Sequence, residues 1–139
     1  GLTPRPSRGM LFSEAGINIP SFGLIANEAT IAKRPKVLKD FVAVFQHAWI
    51  ETQSEQGAQA AVKALIKHRP NAKLNPALMK AQIEAVYPYL TTDAARGKPL
   101  LWMPPQDWKD AVDVMVDLKL IKAGTDPESI YTNQFVPEQ

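Results

Sequence analysis

The sequence predicts an α/β chain that is mostly helical, with two short strands followed by about four helices. Three observations predict it. Two apolar runs, Met10-Leu11-Phe12 and Phe22-Gly23-Leu24-Ile25-Ala26, are too short for helices and suit buried strands. From Pro35 onward, apolar residues recur at i, i+3 and i+4. Prolines at 35 and 76 stand where a first helical turn tolerates them.

The elements follow in order. Gly1 to Gly9 carries Pro4 and Pro6 and reads as an irregular lead-in. The first strand ends at Ser13-Glu14-Ala15-Gly16, and Ile17 to Pro20 reads as a turn. After the second strand, Asn27-Glu28-Ala29-Thr30 leads away from it. The first helix is expected from Pro35 to about Ser54, with Leu38, Phe41, Val42, Phe45, Ala48 and Trp49 as one broad apolar stripe. A second is expected over Gln56 to His68, stopped by Arg69-Pro70-Asn71. Asn75-Pro76 is a cap followed by a first-turn proline, opening a third helix to about Tyr89. A loop follows around Leu100-Leu101-Trp102-Met103. A fourth helix runs from about Gln106 to Leu120, with Trp108, Val112, Met115 and Leu118 on one face.

Composition narrows the function classes. The 139 residues are 45% hydrophobic, enough for a packed core. Sixteen basic side chains against fourteen acidic give a formal charge of +2, and no basic run marks a nucleic-acid interface. Without cysteine there is no thiol catalysis, disulfide framework or thiolate zinc site. No apolar stretch approaches the roughly 20 residues of a membrane span.

The search for chemistry finds no catalytic constellation. No serine lies in a Gly-x-Ser-x-Gly elbow. Gly9, Gly16 and Gly23 are too widely spaced to cradle phosphate. His47 reads as a polar helix position and His68 as a cation at a helix end. Asp107, Asp110 and Asp113 follow helical spacing and read as a solvated face, and nothing matches a calcium loop. Trp49, Trp102 and Trp108 could stack on a ligand, but packing is the favoured reading, most clearly for Trp49 and Trp108 on apolar helix faces. Glu14 is the most informative residue, because loops at the carboxyl ends of strands are where α/β proteins place ligand groups. A solvated turn residue is its ordinary alternative.

Four stretches together resemble a known family. They are Leu11-Phe12-Ser13-Glu14-Ala15-Gly16 with Ile19-Pro20-Ser21-Phe22-Gly23-Leu24-Ile25-Ala26; Lys33-Arg34-Pro35-Lys36-Val37-Leu38-Lys39-Asp40-Phe41; Trp108 through Leu120-Ile121; and Tyr131-Thr132-Asn133-Gln134-Phe135. In order and spacing they are similar to the C-terminal part of periplasmic substrate-binding proteins of ABC importers. The group in question serves thiamine pyrimidine precursors, taurine, alkanesulfonates and nitrate. Two departures stand out: Arg34 replaces the usual Asn of an "Asn-Pro-x-x-Val-x-x-Phe" helix start, and Lys119 stands where Gly is common.

The resemblance implies the C-terminal segment of a two-lobe periplasmic-binding-protein-like fold. Residues 1–20 would be a second-lobe piece, 21–30 a crossover strand, and 31–139 the C-terminal helices of the first lobe. It implies a periplasmic or lipid-anchored extracytoplasmic protein, a signal peptide upstream, and an importer permease as partner. Ligand would be captured between lobes without chemistry, so no enzyme activity, cofactor or metal is expected. Glu14, Ser13 and Phe22 would contact it. A carboxylate at 14 would repel sulfonate and suits an aminopyrimidine. A half-receptor would also expose apolar surface and self-associate. The competing readings are a pyrimidine-precursor biosynthetic enzyme of the same fold, and a freestanding helical domain that binds another protein.

Overall fold

Helices dominate, and each starts for a local reason. The computed structural model describes residues 9–16 and 22–138. Its α-helices are α1 (Glu28–Lys33), α2 (Pro35–Thr52), α3 (Glu55–His68), α4 (Pro76–Val86) and α5 (Pro105–Asp117). Asn27 caps α1, its Oδ1 accepting from the Ala29 N–H at 2.8 Å. Ser54 Oγ accepts from Gly57 N–H at 3.0 Å to start α3. Asn75 Oδ1 accepts from Leu78 N–H at 3.0 Å to start α4. Each satisfies an N–H that the helix itself leaves without a partner. Proline occupies the first turn of α2, α4 and α5, where its missing N–H costs nothing. The expected helices are thus present, with α4 giving way to a 3-10 turn at Tyr87–Tyr89.

The α/β expectation is corrected. Among the described residues there is no strand. Phe12–Ala15 forms a 3-10 turn, closed by the Glu14 N–H on the Leu11 carbonyl at 3.1 Å. Residues 22–27 have no regular structure, so the crossover strand expected over 21–30 is not formed, and α1 begins within that range. The reason is that a strand is stable only when its backbone groups pair with a neighbour and one face is buried. Phe22 is 95% exposed and Ile25 fully so. The β-forming composition of this run found neither condition. The placement in a two-lobe sheet architecture falls with the strands. The turn expected at Ile17 to Pro20 lies outside the described residues.

The chain divides into two compact units. One holds Ile25–Met103 and Thr132–Gln139; the other holds Gly1–Leu24 and Pro104–Tyr131. Within the first, α1 packs on α2, α2 on α3, and α3 on α4. Ala58 and Val62 of α3 are buried there, with Ala95 and Leu100 in the segment after α4. The buried Gln46 side chain of α2 donates to the Leu100 carbonyl at 2.7 Å, satisfying a polar pair inside this unit. Within the second unit α5 packs on the 3-10 turn Pro127–Ser129.

α2 differs from the single stripe that its sequence suggested. Leu38, Val42, Phe45 and Trp49 are half-buried, but Phe41 is exposed together with Val37 and Val44. The apolar arc of α2 is therefore wider than the face its neighbours cover. Phe41 stacks on Phe45 with centroids 6.3 Å apart, and Phe45 meets Trp49 edge-on at 6.5 Å. This ladder joins the covered face to the open one.

Candidate functional site

Of the residues singled out by sequence, Glu14 and Phe22 are both exposed. Glu14 sits exposed in the 3-10 turn Phe12–Ala15, which also contains Ser13. Phe22 is exposed beyond the undescribed residues 17–21. Glu14 therefore presents an open carboxylate rather than a buried ligand group.

The polar residues that might do chemistry are occupied structurally. Ser54 Oγ donates to the Glu51 carbonyl at 3.1 Å and Ser129 Oγ to the Asp126 carbonyl at 2.6 Å. His47 pairs with Glu51 at 3.3 Å on the exposed face of α2, and His68 stands in the last turn of α3. Lys98 Nζ lies 5.1 Å from the Trp102 ring centroid, a cation–π contact that accounts for the loop tryptophan. Asp113 pairs with Lys109 at 2.5 Å, as a solvated face should. Asp107, expected on that face, is instead buried in the first turn of α5, where the helix dipole favours a carboxylate. Among the described residues no cluster of His, Asp and Glu could hold a metal ion, and no helix is long and apolar enough to cross a membrane.

Sequence reading missed the groove between α3 and α4. It has a volume of about 470 Å³ and is lined by Val62, Lys63, Ile66, Pro76, Ala77 and Lys80, among others. At one end Lys80 bridges the two helices, 2.7 Å from Glu84 and 3.0 Å from Glu55. The Glu84 and Glu55 hydrogen bonds push the Lys80 pKa up to about 12, and the Lys80 and Gln59 hydrogen bonds lower that of Glu55. The Lys80–Glu84 half was legible at i, i+4 spacing. The Glu55 half was not, because it depends on how α3 packs on α4. With its ammonium held by two carboxylates, Lys80 works as a clamp between helices and not as a base or nucleophile.

The C-terminal resembling stretches are built into the two units. In one, Trp108 stacks on Tyr131 with centroids 5.2 Å apart and planes 8° apart. Burial, with Glu128 and Asp126 nearby, raises the Tyr131 pKa. In the other, Asn133 exchanges two hydrogen bonds with the backbone of Met103, at 2.8 and 2.9 Å.

The two departures from the resembled pattern fall on helix ends. Arg34 is the N-cap residue of α2 and makes no side-chain cap hydrogen bond. Lys119 follows the last residue of the α5 cap with φ +59, in the left-handed region. The Leu120 N–H reaches the Met115 carbonyl and the Lys119 N–H the Val116 carbonyl, both at 2.9 Å. That is a Schellman closure, whose left-handed position favours glycine. Comparison with models of protein families, with curated proteins and with solved structures finds no match to this chain.

Proposed function

We propose that this chain acts in the solute-binding component of an ABC importer, capturing a small molecule non-covalently, with an aminopyrimidine thiamine precursor as the favoured ligand. One observation carries the reading. Where the resembled pattern has Asn before Pro, this chain puts the N-cap of a helix; where it has Gly, this chain puts a left-handed helix terminus. Asn is among the best N-caps and Gly the best left-handed residue. The pattern's residue types thus fit the local backbone even where this sequence departs from them, which supports a shared local architecture at both places.

Lys119→Gly relieves a left-handed side-chain clash of about 1 kcal/mol and costs some of that in unfolded-state entropy. Chemical denaturation is expected to show a net gain of a few tenths to about 1 kcal/mol. A loss would mean that Lys119 makes contacts outweighing its backbone strain.

Glu14 supports the choice of ligand. Its exposed carboxylate can accept from the amino group of a pyrimidine and repels an anion such as sulfonate or nitrate. The test is transport in cells. Deleting the gene is expected to abolish uptake of the labelled aminopyrimidine, and restoring it as Glu14→Gln is expected to return only part of the rate. Undiminished uptake of that compound, taurine, alkanesulfonates and nitrate in the deletion would rule the importer role out. A second reading, a helical unit that binds protein, is favoured by one observation: the uncovered apolar face of α2.

A further inference from the structure

We propose that α2 is a self-complementary interface through which two copies of this chain pair antiparallel about a two-fold axis. Three observations lead to a second copy as the occupant.

The first is the apolar stripe. Val37, Phe41, Val44 and Ala48 lie along the open side of α2, and the first three are each more than half exposed. Their spacing of four, three and four is the seam of a helix pair. α2 has 18 residues and so spans about 27 Å, long enough to carry such a seam over three turns or more.

The second is the pattern's symmetry. The spacing four, three, four reads the same in both directions. In an antiparallel pair, the large Phe41 of one copy meets the smaller Val44 of the other, and Val37 meets Ala48. Large side chains face small ones twice over, as close packing requires.

The third is charge, and it decides the direction. Along one flank of the stripe stand Lys36, Asp40, His47 and Glu51, spaced four, seven and four. Within one copy Lys36 pairs with Asp40 at 2.7 Å and His47 with Glu51 at 3.3 Å. Run against itself antiparallel, this row sets Lys36 opposite Glu51 of the second copy and Asp40 opposite His47, each pair occurring twice. Run parallel, this flank would lie against the opposite flank of the second copy, and the row could not pair with itself. The centre of the charge row and the centre of the apolar stripe differ by one residue, about 1.5 Å along the axis. One antiparallel register therefore serves both.

Sedimentation equilibrium of the whole chain tests this. Val44→Asp places two carboxylates in the seam at an exposed position, so the fold should persist, as circular dichroism would check. It is expected to weaken dimerisation by about a hundredfold or more. Lys36→Glu alone is expected to weaken it about tenfold, because two attractive pairs become repulsive. Combining Lys36→Glu with Glu51→Lys is expected to recover affinity to within about threefold of the original. A chain that stays monomeric to about 200 µM, weaker than any useful homodimer, overturns the proposal. So does a dimer indifferent to Val44→Asp, or a double charge variant no tighter than the weaker single one. These outcomes are independent of the transport experiment, so either reading can fail alone.

Discussion

Gly57→Ala is expected to destabilise the chain by about 1–3 kcal/mol, the range for forcing a methyl group into an already filled space. The ordinary expectation has the opposite sign, since replacing glycine by alanine within a helix usually gains about 1 kcal/mol. Local geometry reverses it. A Cβ built on Gly57 would lie 1.9 Å from the Glu51 carbonyl oxygen, 2.6 Å from its carbon and 2.9 Å from Ser54 Oγ. The first two are backbone atoms and cannot rotate away. The carbonyl is also pinned, because the Ser54 N–H donates to it at 3.2 Å and the Ser54 hydroxyl at 3.1 Å. Those bonds form the tight corner from α2 to α3, so moving Glu51 breaks the cap that starts α3. Urea unfolding should show a lower midpoint with an unchanged slope. An unchanged or raised midpoint would mean that the corner opens at little cost and that α2 and α3 are only loosely coupled.

The contrast between legible and illegible parts follows from how local each cause is. Pro35, Asn75-Pro76 and the stop at Arg69-Pro70 act within one helical turn, so the sequence places α2, α3 and the start of α4 to within a residue or two, while α4 ends three residues before the expected Tyr89. The strands failed because a strand's partner is non-local. Phe22 to Ala26 has the composition of a strand, but composition cannot supply the neighbour. The same run hid α1, whose signal was present in Asn27-Glu28 as an N-cap followed by a first-turn acid. Asp107 was read with Asp110 and Asp113 from spacing alone, which cannot tell the buried first turn of a helix from its solvated middle. Glu14 and Phe22 were named from sequence for their place beside expected strands, and both prove exposed. The Lys80 clamp and the Trp108–Tyr131 stack each need packing between elements that are distant in the chain. The width of the apolar arc on α2 was legible; that only part of it is covered was not.

Asn133→Ala should cost about 2–3 kcal/mol, because it removes two hydrogen bonds worth about 1 kcal/mol each and leaves two backbone groups less well satisfied. Its Oδ1 accepts from the Met103 N–H at 2.8 Å and its Nδ2 donates to the Met103 carbonyl at 2.9 Å. Both residues are half-buried, so water replaces these bonds only in part. The amide is matched to this task, since it offers one donor and one acceptor in a plane to a peptide group offering the complement. Asn133→Asp separates the two halves. At neutral pH the carboxylate still accepts from the Met103 N–H, but its second oxygen faces the Met103 carbonyl, and repulsion replaces a bond. The variant should then be no more stable than Asn133→Ala. Protonation gives that oxygen a hydrogen to donate, so the folded state favours the protonated acid and raises its pKa above the unfolded value of about 3.9. Stability gained this way is fully present below the unfolded pKa and is lost as pH rises through the folded one. Asn133→Asp should therefore overtake Asn133→Ala as the pH falls towards about 3, below the usual carboxyl range. Parallel denaturation curves at both pH values read the difference directly. Curves that kept the same order and spacing would show that the Met103 carbonyl does not need its donor.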